Sequence, residues 1–290
     1  MKNSPISKIT LEGREFFVKR DDLIDPYLAG NKYRKLYTLL QTPKENIDKI
    51  ISYGGTQSNA MLAIAAICKQ KDWEFIYYTK PVSKRITELT YGNYSDALYL
   101  GMKNIELEDE LYGEMIGSLR LNLDSRSYII DQGGADDTAQ EGLKVLALEI
   151  REQLQCSKEY ESIKAIATPS GTGTTALFLA KSLPEFKVYT TPCVGDEIYL
   201  REQMQALSEI PDNLIILKPK KKYHFSKPYL EFYGVYLKLQ KSGVVFDLLY
   251  APSMWEALLE QTSEPTLYVH SGGVSGNTSM LKRYERKFNL

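Results

Sequence analysis

A lysine at the start of a predicted helix and two glycine-rich turns are the segments of this sequence best suited to chemistry. The lysine is Lys32, in the run Gly30-Asn31-Lys32-Tyr33-Arg34-Lys35-Leu36. A lysine in a first helical turn meets the positive end of the helix dipole, and neighbouring cations add to that repulsion. Both effects favour loss of the proton that an amine nucleophile must shed. Lys32 is therefore a candidate nucleophile for a carbonyl carbon, with a solvated surface lysine as the alternative.

The turn Ser170-Gly171-Thr172-Gly173-Thr174-Thr175 is a candidate anion site, because it follows a predicted strand and opens a predicted helix. Its glycines allow close backbone approach, and N–H groups at a helix start attract an anion. An ordinary capping turn is the alternative. The spacing Gly171-x-Gly173-x-x-Ala176 also matches a dinucleotide fingerprint. The next predicted strand has no carboxylate before Asp196, however, so we expect a smaller phosphate group.

The turn Gly54-Gly55-Thr56-Gln57-Ser58-Asn59 follows another predicted strand. Ser58 or Asn59 can cap the apolar helix that comes next, and capping would explain one of these polar residues. It does not easily explain Gln57, Ser58 and Asn59 together, which place two amides and a hydroxyl at one helix start. Such a cluster could bind a carboxylate and a phenolate-like oxygen, with a purely structural role as the alternative.

The elements that must position these segments alternate along the chain. Alternation of short β-rich runs with amphipathic runs predicts an α/β fold of βαβ units with mainly parallel sheets. In open sheets of this kind ligands bind where loops leave the carboxyl ends of strands, which is where the candidate segments lie. The predicted strands are Phe16–Lys19, Ile47–Ser52, Phe75–Tyr78, Ser127–Ile130, Ile163–Thr168, Lys187–Thr190, Leu214–Leu217 and Thr266–His270. The predicted helices are Asn31–Leu40, Ser58–Lys69, Ala139–Leu154, Thr174–Ser182, Ile198–Leu207, Pro228–Lys241 and Met254–Gln261.

Composition restricts the class of protein. The chain has 290 residues, 43% of them apolar, and a net charge of -1, which predicts a globular protein and argues against a nucleic-acid surface. No apolar run reaches the roughly 20 residues of a membrane span. The N-terminus lacks an apolar signal core, so we expect a cytoplasmic protein. Cys68, Cys156 and Cys193 are odd in number and widely spaced, so we expect neither disulfides nor a metal site.

These motifs resemble those of the 1-aminocyclopropane-1-carboxylate deaminase and D-cysteine desulfhydrase family. The Lys32 run resembles the family's pyridoxal-phosphate lysine segment. The turn at residues 54–59 resembles its substrate-carboxylate turn, and the turn at residues 170–175 its phosphate loop. The resemblance covers most of the chain in the right order. Further matching segments are Lys19-Arg20-Asp21-Asp22, Gln132-Gly133-Gly134 with Glu141-Gly142, Tyr250, and His270-Ser271-Gly272-Gly273.

The resemblance implies a fold-type II pyridoxal-phosphate enzyme with two three-layer α/β domains, similar to the tryptophan synthase β-subunit. Residues 1–35 and 136–290 would form the large cofactor-binding domain. Residues 36–135 would form a small inserted α/β domain. A homodimer is expected by the same analogy, with a small amino acid as the substrate and no nucleic-acid or membrane partner.

The resemblance also implies a role for each matched residue. Lys32 would bind the cofactor's aldehyde and later act as the proton-transfer base. Tyr250 would stand over the ring as an acid or base, and Ser58 would assist at the substrate's carboxylate or α-carbon. The cofactor would be held by Lys35 and the loop Ser170, Gly171, Thr172, Gly173 and Thr174 at its phosphate, by Asn59 at its ring oxygen and by Ser271 at its ring nitrogen. The substrate would contact Gln57, Ser58, Asn59 and His224.

Four departures from the family pattern bear on the reaction. Ala60 stands where the family carries His or Gln, and His224 aligns with a second active-site tyrosine. Ala251 replaces the glutamate of the deaminases and the hydroxyl residue of the desulfhydrases, and Ser271 replaces a leucine or threonine. Without a carboxylate beside the ring nitrogen the cofactor is a weaker electron sink. We therefore expect α,β-elimination from a D-cysteine-like substrate to pyruvate, ammonia and sulfide.

The alternatives are deamination, racemisation or β-replacement on the same fold, or cofactor binding without turnover. His224 and His270, the two histidines of the chain, also have a structural role as the alternative to a catalytic one.

Overall fold

The chain forms two units, each built on a largely parallel sheet. The computed structural model describes residues 3–28, 30–134 and 138–290. The first unit comprises Met1–Arg34 with Gln140–Leu290, and the second comprises Lys35–Ala139. The domain boundary that the sequence places between residues 135 and 136 lies outside the described residues.

Strands and helices alternate through most of the described residues. The strands are β1 (Ile6–Leu11), β2 (Arg14–Lys19), β3 (Lys49–Tyr53), β4 (Glu74–Thr79), β5 (Lys103–Glu106), β6 (Ser127–Ile130), β7 (Ala165–Ala167), β8 (Lys187–Thr190), β9 (Leu214–Ile216) and β10 (Thr266–Val269). The helices are α1 (Asn31–Lys35), α2 (Tyr37–Gln41), α3 (Asn59–Lys71), α4 (Lys84–Thr87), α5 (Asn93–Tyr99), α6 (Asp109–Leu119), α7 (Ala139–Gln155), α8 (Thr174–Ser182), α9 (Glu197–Gln205), α10 (Leu230–Gln240), α11 (Ala251–Gln261) and α12 (Asn277–Phe288). Short 3-10 helices cover Asp21–Leu23, Lys44–Asn46, Arg120–Asn122, Gln132–Gly134, Lys158–Tyr160 and Val274–Gly276.

The sheet of the first unit has six strands in the order β1-β2-β10-β7-β8-β9. Only the β1–β2 pair is antiparallel, and the other four pairs are parallel. Every residue of β7 and β10 is buried, as expected for central strands covered on both faces. Because β2, β10 and β7 are parallel neighbours, the segments that follow them leave the same edge of the sheet.

An aromatic cluster fills the core beneath this sheet. Trp255 of α11 is fully buried and stacks on Tyr268 of β10, with ring centroids 4.6 Å apart. The edges of Phe16 and Phe246 meet the same indole at 5.0 and 5.5 Å. Edge-to-face and offset rings pack densely and add specific geometry to hydrophobic burial. The cluster therefore anchors α11, whose first turn follows Tyr250, against β2 and β10.

The sheet of the second unit has four parallel strands in the order β5-β4-β3-β6. Helix α3 follows β3 and buries most of its first ten residues. Ser58 caps its start, and Asp72 ends it in the left-handed conformation at φ +56°. The turn Gly54–Asn59 therefore connects the carboxyl end of β3 to a buried helix.

The α/β class with mainly parallel sheets is confirmed, and most predicted elements are present. The bounds of Ser127–Ile130, Lys187–Thr190 and Thr174–Ser182 agree with the sequence prediction. The single helix predicted over Asn31–Leu40 is wrong, because the backbone at Leu36 leaves the helical region and separates α1 from α2. The elements that sequence reasoning missed are β1, β5, α4, α5, α6 and α12.

Two of the missed elements, β5 and α6, bury few of their side chains. The edge strand β5 is Lys-Asn-Ile-Glu, with three of its four residues exposed, and α6 has no buried residue. Within the described residues, no helix is long and apolar enough to cross a membrane. The three cysteines are free, and no cluster of metal-ligating side chains was found in the same part of the chain.

Candidate active site

The Lys32 helix lies directly on the turn after β10. Gly30, just before α1, has a φ of +60°, and a Cβ placed on it would lie 2.0 Å from the Ser271 carbonyl oxygen. The Asn31 N–H donates to that oxygen at 3.2 Å, and the Gly30 N–H donates to the Asp21 carbonyl at 2.9 Å. Only glycine permits this approach. The structure therefore brings the Lys32 and Ser271 segments together, as two neighbouring parallel strands require.

A buried charge network holds the other end of α1. The Arg34 guanidinium donates to both carboxylate oxygens of Asp21, at 2.9 and 2.7 Å, and to Glu149 Oε2 at 2.8 Å. The Lys19 ammonium bonds Glu149 Oε1. All four side chains are at most 4% exposed, and two cations balance two carboxylates. Charges so deeply buried persist only when paired and hydrogen-bonded, so the network fixes the position of α1.

Sequence reasoning treated Arg34 only as a cation next to Lys32, and it missed Glu149 altogether. The charged run Lys19-Arg20-Asp21-Asp22 at the end of a buried strand was the available signal. A buried Lys19 requires an anion, and Glu149 on the distant helix α7 supplies it. No sequence spacing could have indicated that partner, because 130 residues separate the two.

The surroundings of the Lys32 amine favour its deprotonated form. Lys32 is half-buried, and burial lowers the pKa of its amine from 10.5 to about 8. Desolvation disfavours the charged form, so far more of this amine is neutral near pH 7 than of a surface lysine. The sequence argument named the helix dipole and neighbouring cations as the cause. The adjacent cation Arg34 is instead balanced by two carboxylates, and burial is the cause that the structure identifies.

Ser170 ties the second glycine-rich turn to the end of β8. Its hydroxyl donates to Thr190 Oγ1 at 2.6 Å, because the Thr190 hydroxyl itself donates to the Thr168 carbonyl. The Ser170 N–H donates to the Thr191 carbonyl at 3.2 Å. Both donors of Ser170 are thus engaged within the fold. Its role in holding a phosphate stays a prediction.

Residues Gly171–Thr175, the predicted anion cradle, lie at the start of α8. Gly173 has a φ of +77°, and a Cβ there would lie 2.4 Å from Met204 Cγ. Thr172 and Thr174 bond each other through their hydroxyls at 3.1 Å. The buried Thr175 hydroxyl has no hydrogen-bond partner within the described residues. A helix start that combines close backbone approach with an unsatisfied hydroxyl has the donor set that a phosphate group requires.

Tyr250 stands beside this cradle. A Cβ on Gly171 would lie 3.6 Å from Tyr250 Cε1, so the space between the phenol ring and the loop is about the size of one methyl group. Asp247 Oδ1 accepts the N–H groups of Leu249 and Tyr250, at 3.0 and 2.6 Å. Burial, with smaller effects of Cys193 and Asp247, raises the pKa of the Tyr250 hydroxyl above its ordinary value. The Tyr250 hydroxyl therefore stays protonated at neutral pH, and the Tyr250 backbone is held by an aspartate that sequence reasoning missed.

The two histidines differ sharply in their surroundings. His270 is buried, with Nε2 bonded to the Val245 carbonyl at 2.8 Å and Nδ1 accepting the Gly272 N–H at 3.1 Å. It therefore shapes the turn that carries Ser271. His224 is exposed, and the cavity that it lines is only about 10 Å³, too small for an amino acid. The predicted substrate contact of His224 stays a prediction.

The predicted substrate residues lie in the second unit, at the start of α3. Ser58 Oγ accepts the Met61 N–H at 3.2 Å, which confirms its capping role, and its side chain also hydrogen-bonds that of Tyr77. Asn59 Oδ1 accepts from Asn93 Nδ2 at 2.8 Å, and the backbone carbonyl of Gln57 accepts from the same nitrogen at 3.1 Å. Lys35, which was predicted to hold the phosphate, is buried and belongs to this unit by its contacts.

A cavity of about 430 Å³ opens at the carboxyl ends of β3, β4 and β6 in the second unit. Its volume suits a small polar ligand. The Gly54–Asn59 turn contributes its first three residues to the wall. The lining residues are Gly54, Gly55, Thr56, Thr79, Lys80, Pro81, Val82, Ser83, Ile86, Tyr112 and Gln132.

Comparisons with known proteins agree with this arrangement. The family model "Pyridoxal-phosphate dependent enzyme" matches residues 3–197. A putative 1-aminocyclopropane-1-carboxylate deaminase of Thermotoga maritima is 24% identical, over 93% of this chain and 92% of that protein. A D-cysteine desulfhydrase of Serratia proteamaculans is 27% identical, over 90% and 87%. The crystal structure of an "ACC deaminase homologue" superposes with a TM-score of 0.78 at 21% identity, covering 98% of this chain and 94% of that one.

Proposed function

The chain belongs to the pyridoxal-phosphate dependent enzyme family, and we propose that it catalyses α,β-elimination on a small D-amino acid such as D-cysteine. The products would be pyruvate, ammonia and sulfide. The observation that carries this proposal is the half-buried Lys32 amine, whose pKa is lowered to about 8 on a helix held by buried ion pairs. Such an amine is a ready nucleophile for the cofactor's aldehyde.

The residues present fit pyridoxal phosphate at both of its ends. The Lys32 amine suits the aldehyde, and the loop Gly171–Thr175, with its unsatisfied Thr175 hydroxyl, suits the phosphate. In our proposal Asn59 donates to the ring oxygen and Ser271 to the ring nitrogen. When bound, the cofactor withdraws electrons from the substrate's α-carbon, and the protein positions the groups that move protons.

The proposed proton transfers use two side chains. Lys32 would remove the proton from the substrate's α-carbon, and its lowered pKa suits a base working near neutral pH. Tyr250, kept protonated by burial, supplies a proton to the departing thiolate. Ser58 would contact the substrate carboxylate through its hydroxyl. The match of residues and the local geometry support each of these proposed roles.

Ala251 supports elimination over cyclopropane opening. It is fully buried at the start of α11, where the deaminases of the resemblance carry glutamate. A methyl group cannot hold the ring nitrogen protonated, so electron withdrawal would be weaker. Loss of a thiolate, which is a good leaving group, needs less electron withdrawal than opening a cyclopropane.

We further propose a cytoplasmic homodimer in which residues 1–35 and 136–290 form the cofactor-binding domain.

The test combines a spectrum with a substrate panel. Wild-type protein loaded with pyridoxal phosphate should show a visible absorbance band that Lys32→Ala abolishes and that Lys44→Ala, at an exposed lysine, retains. D-cysteine should then yield sulfide and pyruvate, with far slower turnover of L-cysteine and 1-aminocyclopropane-1-carboxylate. A retained band in the Lys32→Ala protein would overturn the cofactor assignment. Inverted, deaminated or substituted products in place of sulfide would identify racemase, deaminase or β-replacement activity.

A further inference from the structure

Asn93 is a buried amide at the first position of α5, and only 1% of it is exposed. The preceding Gly92, at φ +94°, turns the chain so that the helix starts there. Asn93 Nδ2 donates to Asn59 Oδ1 at 2.8 Å and to the Gln57 backbone carbonyl at 3.1 Å. One buried amide nitrogen thus contacts two of the three residues predicted to bind ligand in the Gly54–Asn59 turn.

The orientation of this pair is determined by which atoms can donate. The Gln57 backbone carbonyl can only accept, so the Asn93 atom that faces it must be the NH2 group. The same NH2 group then faces Asn59, whose near atom must be the accepting oxygen. Reversing either amide would place two acceptors or two donors against each other in a buried site, which is costly. The Asn59 NH2 group is consequently directed away from Asn93.

We propose that Asn93 is a positioning residue that presents the Asn59 amide as a hydrogen-bond donor to the ring oxygen of pyridoxal phosphate. This inference rests on the proposed function. Among the described residues, Asn59 Nδ2 has no hydrogen-bond partner, so its hydrogens remain for a ligand. A donor stabilises the anionic form of a ring oxygen, and an amide carbonyl in the same place would repel it. Asn93 therefore sets the polarity of that contact without touching the cofactor.

Asn93→Asp tests the polarity directly, because aspartate keeps the size of asparagine but cannot donate. Asn59 would turn its NH2 group toward the new carboxylate and its oxygen toward the ring oxygen. Loss of the donor should raise the pH midpoint of the visible band of the loaded protein by about one pH unit. In an Asn59→Ala background, Asn93→Asp should produce no further shift.

Asn104→Asp is the matched control in the same unit. The Asn104 side-chain oxygen accepts from the Thr79 hydroxyl at 3.2 Å, and a carboxylate accepts equally well, so the midpoint should stay at the wild-type value. An unchanged midpoint in folded, loaded Asn93→Asp protein would overturn the inference. A wild-type protein without a visible band would instead be a failure of the proposed function.

If Asn93→Asp does not fold, the positioning role of Asn93 is tested by a measurement on the wild-type protein. Asparagine side-chain NH2 signals are observed by 15N NMR and assigned by their loss in Asn59→Asp and Asn93→Ser. The Asn93 signal should be protected from hydrogen exchange with or without cofactor, and the Asn59 signal should move when pyridoxal phosphate is added. Exchange of the Asn93 amide as fast as that of the exposed Asn46 would overturn the inference.

Discussion

The two ends of helix α1 carry cations in opposite situations. Arg34 is buried, and burial opposes its charge, but the hydrogen bonds and charges of Asp21 and Glu149 outweigh burial and raise its pKa above the ordinary value. Two residues earlier, burial lowers the pKa of Lys32 to about 8. The same desolvation therefore has opposite outcomes within one helical turn, because Arg34 is compensated by carboxylates.

This contrast shows how rigidity and reactivity can share a short helix. A nucleophilic amine must lose its proton, so a carboxylate partner would work against it. The position of the helix must nevertheless be fixed, and the charge-assisted hydrogen bonds of Arg34 to Asp21 and to Glu149 of α7 fix it. A compensated cation holds the helix in place while a partly desolvated amine on the same helix stays ready to react.

The largest effect is expected from breaking the compensated end. Glu149→Gln leaves Lys19 and Arg34 with a single carboxylate in a site that is at most 4% exposed. We expect the free energy of unfolding to fall by about 3–5 kcal/mol, measured by urea denaturation. The control is Asp72→Asn, in the exposed pair with Lys44, which should change it by less than about 1 kcal/mol. Similar losses in both variants would contradict the role of the network.

Gly30→Ala tests the close contact between the start of α1 and the Ser271 carbonyl. The new Cβ would collide with the Ser271 carbonyl and would also be strained at φ +60°. We expect a loss of at least about 2 kcal/mol in unfolding free energy, together with weaker cofactor binding as Lys32 moves. Gly13→Ala has a similar φ of +77° but nothing within 4 Å, so only the conformational cost of about 1 kcal/mol should remain. Equal losses would exclude the steric explanation.

The lowered pKa of Lys32 is tested by the pH dependence of the stability of the protein without cofactor. The folded-state pKa of Lys32, about 8, lies below its ordinary value of 10.5, so the unfolded chain binds more protons between these values. The wild type should therefore gain stability relative to Lys32→Met as the pH rises from about 8 to about 10.5. Denaturation midpoints of both proteins across that range check the sign. Parallel curves would mean that the pKa of Lys32 is unshifted.

The smallest effect on stability is expected at the anion cradle. The buried Thr175 hydroxyl has no partner among the described residues, so Thr175→Val should change the free energy of unfolding by less than about 1 kcal/mol. The affinity for pyridoxal phosphate should fall several-fold, as followed by titration of the visible band. A large stability loss without a change in affinity would show that the hydroxyl serves the fold instead.

Sequence reasoning predicted the fold well where patterns are local. The strands at Ser127–Ile130 and Lys187–Thr190 and the helix at Thr174–Ser182 have clear apolar runs and turn residues at their ends. The exposed strand β5 and the surface helix α6 do not, because few of their residues reach the core. The sequence located the three candidate ligand-binding segments but not the residues that hold the predicted functional groups in place. Glu149 holds Arg34, Asp247 holds the Tyr250 backbone and Asn93 holds Asn59. The local sequence around each predicted residue does not indicate these partners.

The sequence by itself determined the fold class, the three segments suited to chemistry and the candidate nucleophile Lys32, since each is written in neighbouring residues. The tertiary structure alone decided the protonation and orientation of those groups. The lowered pKa of Lys32 depends on burial, and the direction of the Asn59 amide depends on a partner 34 residues away. Desolvation and hydrogen-bond direction are properties of three-dimensional surroundings, so local sequence cannot specify them.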